Sequence, residues 1–158
     1  MSTPLVVSPV VQAVGTAIGS AMVDALADVA VLDAVDPMQN YENRSVTVGG
    51  TWDPDTSEFV TDQTVVTAVQ ESGASRHLTE STAIQCIAYT GANNDDFPGH
   101  RASVAAILAA IRSALRQLTS IDGASCRVQI ADEMWAQGSD TNGTLAMAMF
   151  TVQAVRLL

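Results

Sequence analysis

Two histidines, a pair of adjacent aspartates and two cysteines are the residues of this chain with the means to do chemistry. His77 follows Arg76 in a polar run, Glu71–Glu80 (ESGASRHLTE), and His100 follows Asp95, Asp96 and Gly99. An imidazole beside carboxylates can hold a divalent cation or activate a water. A metal site, however, needs converging ligands braced by further partners. One acidic loop supplies neither, and a helix N-terminus attracts aspartates through its dipole without any metal. Ser72-Gly73-Ala74-Ser75 offers a hydroxyl with no motif around it. The chain has no G-x-S-x-G elbow, phosphate-cradling glycine loop, H-E-x-x-H or C-x-x-C. Cys86 and Cys126 both lie in apolar, strand-like runs, which suits buried thiols better than a disulfide or a metal. These residues favour a chain that is not an enzyme and carries no cofactor. The rival is a small oligomeric enzyme using His77 or His100 with nearby carboxylates.

The elements that must position these residues centre on Ser81–Leu118. A strand over Ser81–Thr90 alternates Ile84, Cys86 and Ala88 with Gln85, Ile87 and Tyr89. An acidic loop, Gly91–Pro98, leads from it into a helix. Val104, Ile107, Leu108, Ile111, Leu115 and Leu118 recur at i, i+3, i+4, i+7, the stripe of a helix packed on one side. Asp96 is placed to cap this helix with Pro98 just inside, and Asp122-Gly123 to stop it. Before the centre, Ser8-Pro9 predicts a first helix running to about Leu32, where Asp36-Pro37 ends it. Val10, Val14, Ala17, Ile18, Ala21, Ala25 and Leu32 form its stripe. Gly15 and Gly19 cost helix propensity, roughly 1 kcal/mol each against alanine, which makes sense if another backbone approaches them.

A short strand at Ser45–Val48, the Gly49-Gly50 break, a turn at Trp52–Asp55 and a return at Phe59-Val60 predict a β-hairpin arm or insertion over residues 45–62. Thr64–Gln70 is β-branched and predicts a strand, with Glu71–Glu80 as a polar connector. After the long helix, Ser125–Ala131 alternates. Gln137–Gly143 ends in Asn-Gly, a strong hairpin signal, and Leu145–Leu157 is a long last strand. Helix, strands, helix, hairpin: this order predicts a single α+β domain over residues 1–158, a mainly antiparallel sheet with the N-terminal helix and the long central helix packed on a face.

The totals narrow the partners. The chain has 158 residues, a net charge of −10 and only 15% charged residues, with no lysine and arginine supplying all seven cations. Non-specific nucleic-acid binding needs cations to displace counterions, so this surface suits DNA sliding past rather than sticking. Sparse charge with many Ala, Val and Thr residues suggests surfaces covered by other subunits; a biased composition explains it equally well. Asp24 and Asp28 interrupt the apolar N-terminal run, and no cation precedes Arg44, so neither a signal peptide nor a membrane span is expected.

Two features point to contacts. Opposite the stripe of the central helix lie Ala102, Ala105, Ala106, Ala109 and Ser113, a small-residue face that lets a neighbour pack closely, although alanine's helix propensity also explains it. Trp52 sits in a turn, where an exposed aromatic often marks an interface.

The order of elements resembles the tail terminator (tail-completion) proteins of long-tailed bacteriophages. The features carrying the resemblance are the N-terminal helix, the strand Thr64–Gln70 with the connector ESGASRHLT, the strand Ser81–Tyr89, the acidic loop into the helix Gly99–Leu118, and the closing hairpin Ser125–Leu157. The resemblance implies a structural protein of the siphovirus virion, found at the head–tail junction and assembled in the host cytoplasm. It implies a homohexameric ring that caps the tail tube, contacts the tail tube protein and the head-completion or connector protein, and lets DNA pass. Within that implied ring, Trp52 and the alanines are candidate interface residues, and Asp53, Asp55, Asp95, Asp96 and Asp140 are candidate channel-lining acids. Another head–tail connector or a tail-tube component is the nearest alternative.

Overall fold

The fold is organised around two long neighbouring strands, His77–Ala92 and Gly143–Leu157, at the centre of a sheet. In the computed structural model, residues 8–23, 26–38, 44–72, 77–140 and 143–158 are described, with Ser72, His77 and Asp140 described by backbone alone. The elements run α1 (Pro9–Ala21), β1 (Ala30–Asp33), β2 (Arg44–Val48), β3 (Thr51–Asp53), β4 (Glu58–Val60), β5 (Val65–Ser72), β6 (His77–Ala92), α2 (Phe97–Gln117), β7 (Ser120–Ile121), β8 (Ala124–Asp140) and β9 (Gly143–Leu157). The result is an α+β fold. A mostly antiparallel, curled sheet has the strand order β1-β2-β6-β9-β8-β7, with β5 also pairing β6 and β3–β4 forming a separate hairpin. The exception is β1, which pairs β2 in parallel.

One face of the sheet carries both helices. Val10, Val14 and Ile18 of α1 and Val104, Ile107, Leu108, Ile111 and Leu115 of α2 close over Ile84, Cys86 and Ala88 of β6 and Ala146, Ala148, Phe150 and Val152 of β9. Each of the fully buried aliphatic side chains contributes roughly 1.5–3 kcal/mol, and truncating one such as Ile111 to alanine costs about 2–5 kcal/mol. The opposite face holds a second cluster of Ile87, Leu145, Met147 and Met149, with Met38, Trp52, Phe59 and Tyr89 packed on it. Leu145–Phe150 is therefore buried on both faces, which is why this stretch reads as a continuous apolar run. The β3–β4 hairpin reaches that second face through Gly49 and Gly50. Gly49 has φ +83, and any side chain at Gly50 would collide with the Phe59 ring.

Five expectations need correction. The first helix stops at Ala21, with the Met22 N–H donating to the Gly19 carbonyl, instead of running to Leu32. Ala30–Asp33 is a strand paired in parallel with β2, a ladder that outweighs the weak strand preference of Ala30 and Asp33. Ala25 lies outside the described residues. No other part of the described chain approaches Gly15 or Gly19, so the close backbone expected there is not supplied by this chain. Glu71–Glu80 is not a connector: Glu71 and Leu78–Glu80 belong to a β5–β6 ladder that runs from Val65↔Ile84 to Ser72↔His77. Polar residues sit comfortably in a ladder whose flanks face water. Asp122-Gly123 does not end α2, which closes at Leu118. With φ +52 and +79, the pair forms the two-residue turn between β7 and β8, the positive-φ hairpin turn that Asp-Gly favours. The last hairpin is also tighter than Gln137–Gly143 suggested, since Asp140 pairs Gly143 directly.

Candidate assembly surfaces

The acidic loop is a structural knot. The Asp96 side chain accepts from the Gly99 N–H at 3.0 Å and caps α2. His100 Nε2 lies 3.0 Å from both Asn94 Oδ1 and Thr144 Oγ1. The Thr144 hydroxyl donates to the Asn94 carbonyl at 2.6 Å, and Asn94 Oδ1 already accepts from the Asp96 N–H. Both partners of Nε2 are therefore acting as acceptors, and Nε2 carries the proton that binds them. His100 is 5% exposed, its Nε2 engaged in tying the loop to the start of β9. Asp95 stands in solvent without joining the knot. Among the described residues no three His, Cys, Asp or Glu side chains converge as metal ligands would, and the side chain of His77 lies outside them. No described helix is long and apolar enough to cross a membrane.

Both thiols are held protonated. Burial pushes Cys86 up to about 12 against a smaller opposing pull from the Gly49 backbone. Burial also raises Cys126, while the Arg156 cation draws it back. Arg156 is itself raised, first by its hydrogen bonds to Glu80 and against the cost of burial. The pair is bidentate, Nε to Oε1 at 2.9 Å and the second nitrogen to Oε2 at 3.1 Å, and it locks β6 to β9 where Glu80 and Arg156 stand opposite each other.

The candidate contact residues separate into distinct surfaces. Ala102, Ala105, Ala106 and Ala109 are all exposed along the outer side of α2, so none of the described residues covers that face. Trp52 is half-buried against the second cluster, where it packs beside Phe59 and leaves an edge to solvent. Of the acids, Asp53 is half-buried and accepts from the Asp55 N–H. Asp55, Asp95 and Asp96 are exposed, and the Asp140 side chain lies outside the described residues. The five are not brought into one cluster: two lie on the β3–β4 hairpin, two before α2 and one at the tip of β8.

Two surfaces emerge that the residue pattern did not single out. The first is β5, an outer strand of eight residues with β6 on one side only. Val65, Val66 and Val69 are 38%, 52% and 58% exposed. Register places Val65 and Val69 on the helix side with Ile84 and Glu80, and Val66 on the other side. The second is the distal half of β8. A bulge between Ile130 and Asp132 shifts its register, and beyond it Asp132–Gln137 are exposed on both faces. Met134 is 57% and Trp135 40% exposed. Arg112–Glu133 and Arg101–Gln137 are polar contacts that tie this half to α2. Natural sheet edges are usually blunted by lysine, proline or short length, and Val65–Gln70 has none of these. The signal was present in TVVTAVQ, which is apolar at both parities with no charge, but a sequence does not say which strands end up outermost.

A groove of about 500 Å³ runs between the C-terminal turns of α2 and β8, floored by Leu115, Leu118, Val128 and Ile130 and rimmed by Arg112, Arg116 and Arg127. No protein-family model matches this chain, and no curated protein matches it.

Proposed function

We propose that this chain is a structural subunit of a phage virion that closes with its copies into a ring, caps the tail tube and joins it to the head-completion proteins. The observation that carries the self-assembly is the pair of bare edges and their directions. β5 is antiparallel to β6, β6 to β9, and β9 to β8. Four strands in alternation leave β5 and β8 running in opposite directions at opposite edges. A second copy related by head-to-tail repetition therefore lays its β5 antiparallel to β8 of the first, and the sheet continues without a break in hydrogen bonding. Such a heterologous contact closes into a ring when its rotation divides a full turn. The exposed valines, Met134 and Trp135 would be covered at each joint, and the alanine face of α2 leaves room for a neighbour's close approach.

The position at the tail end of the head rests on the resemblance in element order. The net charge of −10 supports a channel wall that repels DNA phosphates and lets the duplex pass. Sedimentation velocity and native mass spectrometry of the purified chain test the ring: discrete closed oligomers are expected, and a species monomeric at every concentration refutes it. Imaging of virions tests the location. Density for this chain at the head–tail boundary is the expected result, and density repeated along the tail would make it a tube component instead.

A further inference from the structure

Backbone alternation decides which residues of the two free edges can pair. The Thr64 carbonyl accepts from the Gln85 N–H of β6. Along an antiparallel strand the N–H and C=O of one residue point to the same side, and those of the next residue to the other. Val65, Thr67, Val69 and Glu71 therefore turn their backbone groups away from β6, and register puts their side chains on the helix side with Ile84 and Glu80. On β8 the Cys126 N–H donates to the Thr119 carbonyl, on the side away from β9, so Val128 and Ile130 also turn their backbone groups outward. The bulge at Ala131 shifts the alternation by one, after which Glu133 and Trp135 face outward. These four also hold helix-side positions, since they stand opposite Ala154, Val152, Phe150 and Ala148 of β9.

Few registers satisfy both edges. A joint with Val69 at Val128 would set Glu71 against Cys126, whose outer side Thr119 already holds. Moved by two residues, Glu71 meets Val128, Val69 meets Ile130, Thr67 meets Glu133 and Val65 meets Trp135. On the other face Val66 then lies against Met134, and the extra residue of the bulge faces the small Ala68. Every exposed large apolar side chain of the two edges, Val65, Val66, Val69, Met134 and Trp135, thereby gains an apolar partner. One step further along, Val69 would lie on Glu133 and Val65 on Gln137, an apolar side chain on a polar one each time. Charge agrees with the middle register. It brings Glu71 over Val128, on the floor of the groove that Arg116 rims, and among the described residues neither Glu71 nor Arg116 has an ion pair. We propose that β5 of one copy pairs with β8 of the next in this single register, Val66 beside Met134 and Val69 beside Ile130, with Thr119 and β7 as the stop that fixes it. This inference rests on the edge-to-edge assembly proposed above and names its pairing.

Disulfide trapping reads the register. Val66 and Met134 both turn their backbone groups away from the joint, so they form a non-hydrogen-bonded pair with Cα atoms about 4.5 Å apart, a separation that a disulfide spans. Asp132 and Ala136 share the face of Met134 two positions to either side, which makes them register controls. The background is a Cys126→Ala chain, in which the remaining thiol, Cys86, is shielded by full burial. There, Val66→Cys with Met134→Cys should give at least about tenfold more linked dimers and higher species on mild oxidation than Val66→Cys with Asp132→Cys or with Ala136→Cys. All four positions are exposed in the protomer, so each variant should fold, and thermal melts verify it. If a shifted pair links as well as Val66 with Met134, or better, the register is overturned while the edge-to-edge joint stands. If the wild-type chain assembles and none of the three pairs links, the joint lies elsewhere on the protomer and the register falls with it, while the ring stands. A wild-type chain that never assembles overturns the ring and the register together.

Discussion

Placing two lysines on the free edge, Val66→Lys with Val69→Lys, is the sharpest test of edge-to-edge joining. In the isolated protomer these valines are 52% and 58% exposed, so a joint that covered both would remove slightly more than one whole valine from water. Full burial of a valine is worth roughly 1.5–3 kcal/mol, which sets the loss at about 2–3 kcal/mol per joint before any cost of confining two ammonium groups. At 1.4 kcal/mol per decade this weakens each joint roughly 30- to 150-fold. The two positions point to opposite faces of the sheet, so no tilt of the partner strand spares both. Protomer stability should hardly move, since exposed substitutions usually stay within about 0.5 kcal/mol. Sedimentation velocity across a concentration series reads the joint, and a thermal melt reads the protomer. Val66→Thr with Val69→Thr keeps the β-branched shape and should weaken assembly less. A lysine variant that associates with the wild-type constants would refute the idea that β5 lies in an interface.

The remaining predictions concern the protomer itself. Glu80→Gln leaves the Arg156 cation largely buried without its carboxylate, at side-chain exposures of 10% and 14% for the pair; about 3 kcal/mol should be lost, lowering Tm by roughly 6–12 °C, and an unchanged melt would contradict this. His100→Ala removes the donor that ties Asn94 to Thr144 and should cost about 1–3 kcal/mol in urea unfolding, with proteolysis of the 93–96 loop accelerated. Gly143 has φ +129 and lies against the Ala92 carbonyl, so Gly143→Ala should destabilise by at least about 1–3 kcal/mol, measurable by the same unfolding curve. Cys86 ionises at about 12 when folded against an ordinary 9.0. The raised value favours the folded state fully below pH 9, and above it the unfolded thiolate wins. Stability should therefore fall by roughly 1.4 kcal/mol per pH unit from this group between pH 9 and 12, and Cys86→Ala should remove that component of the slope.

The division between what the residues dictated and what the assembled fold decided follows the range of the forces. The α2 stripe, the Asp96 cap with Pro98, the strand through Ile84 and Ala88, and the last hairpin were all legible, because each rests on contacts within a few residues or on a strict periodicity. The strand at Ala30–Asp33 was not, since only the distant edge of β2 makes an extended chain there more favourable than a longer helix. Asp122-Gly123 carried a clear turn signal, but whether it ended a helix or joined two strands depended on the pairing of Ser120 with Ser125. The same limit governs the candidate surfaces. Composition announced that charge was sparse, and the alanines of α2 could be placed on one face. That Val66 and Trp135 would stand on opposite bare edges, that Met147 and Trp52 would share a second cluster, and that Arg116 and Arg127 would border one groove came from strand order. Strand order is a property of long-range closure, and no local pattern encodes which strand is left outermost.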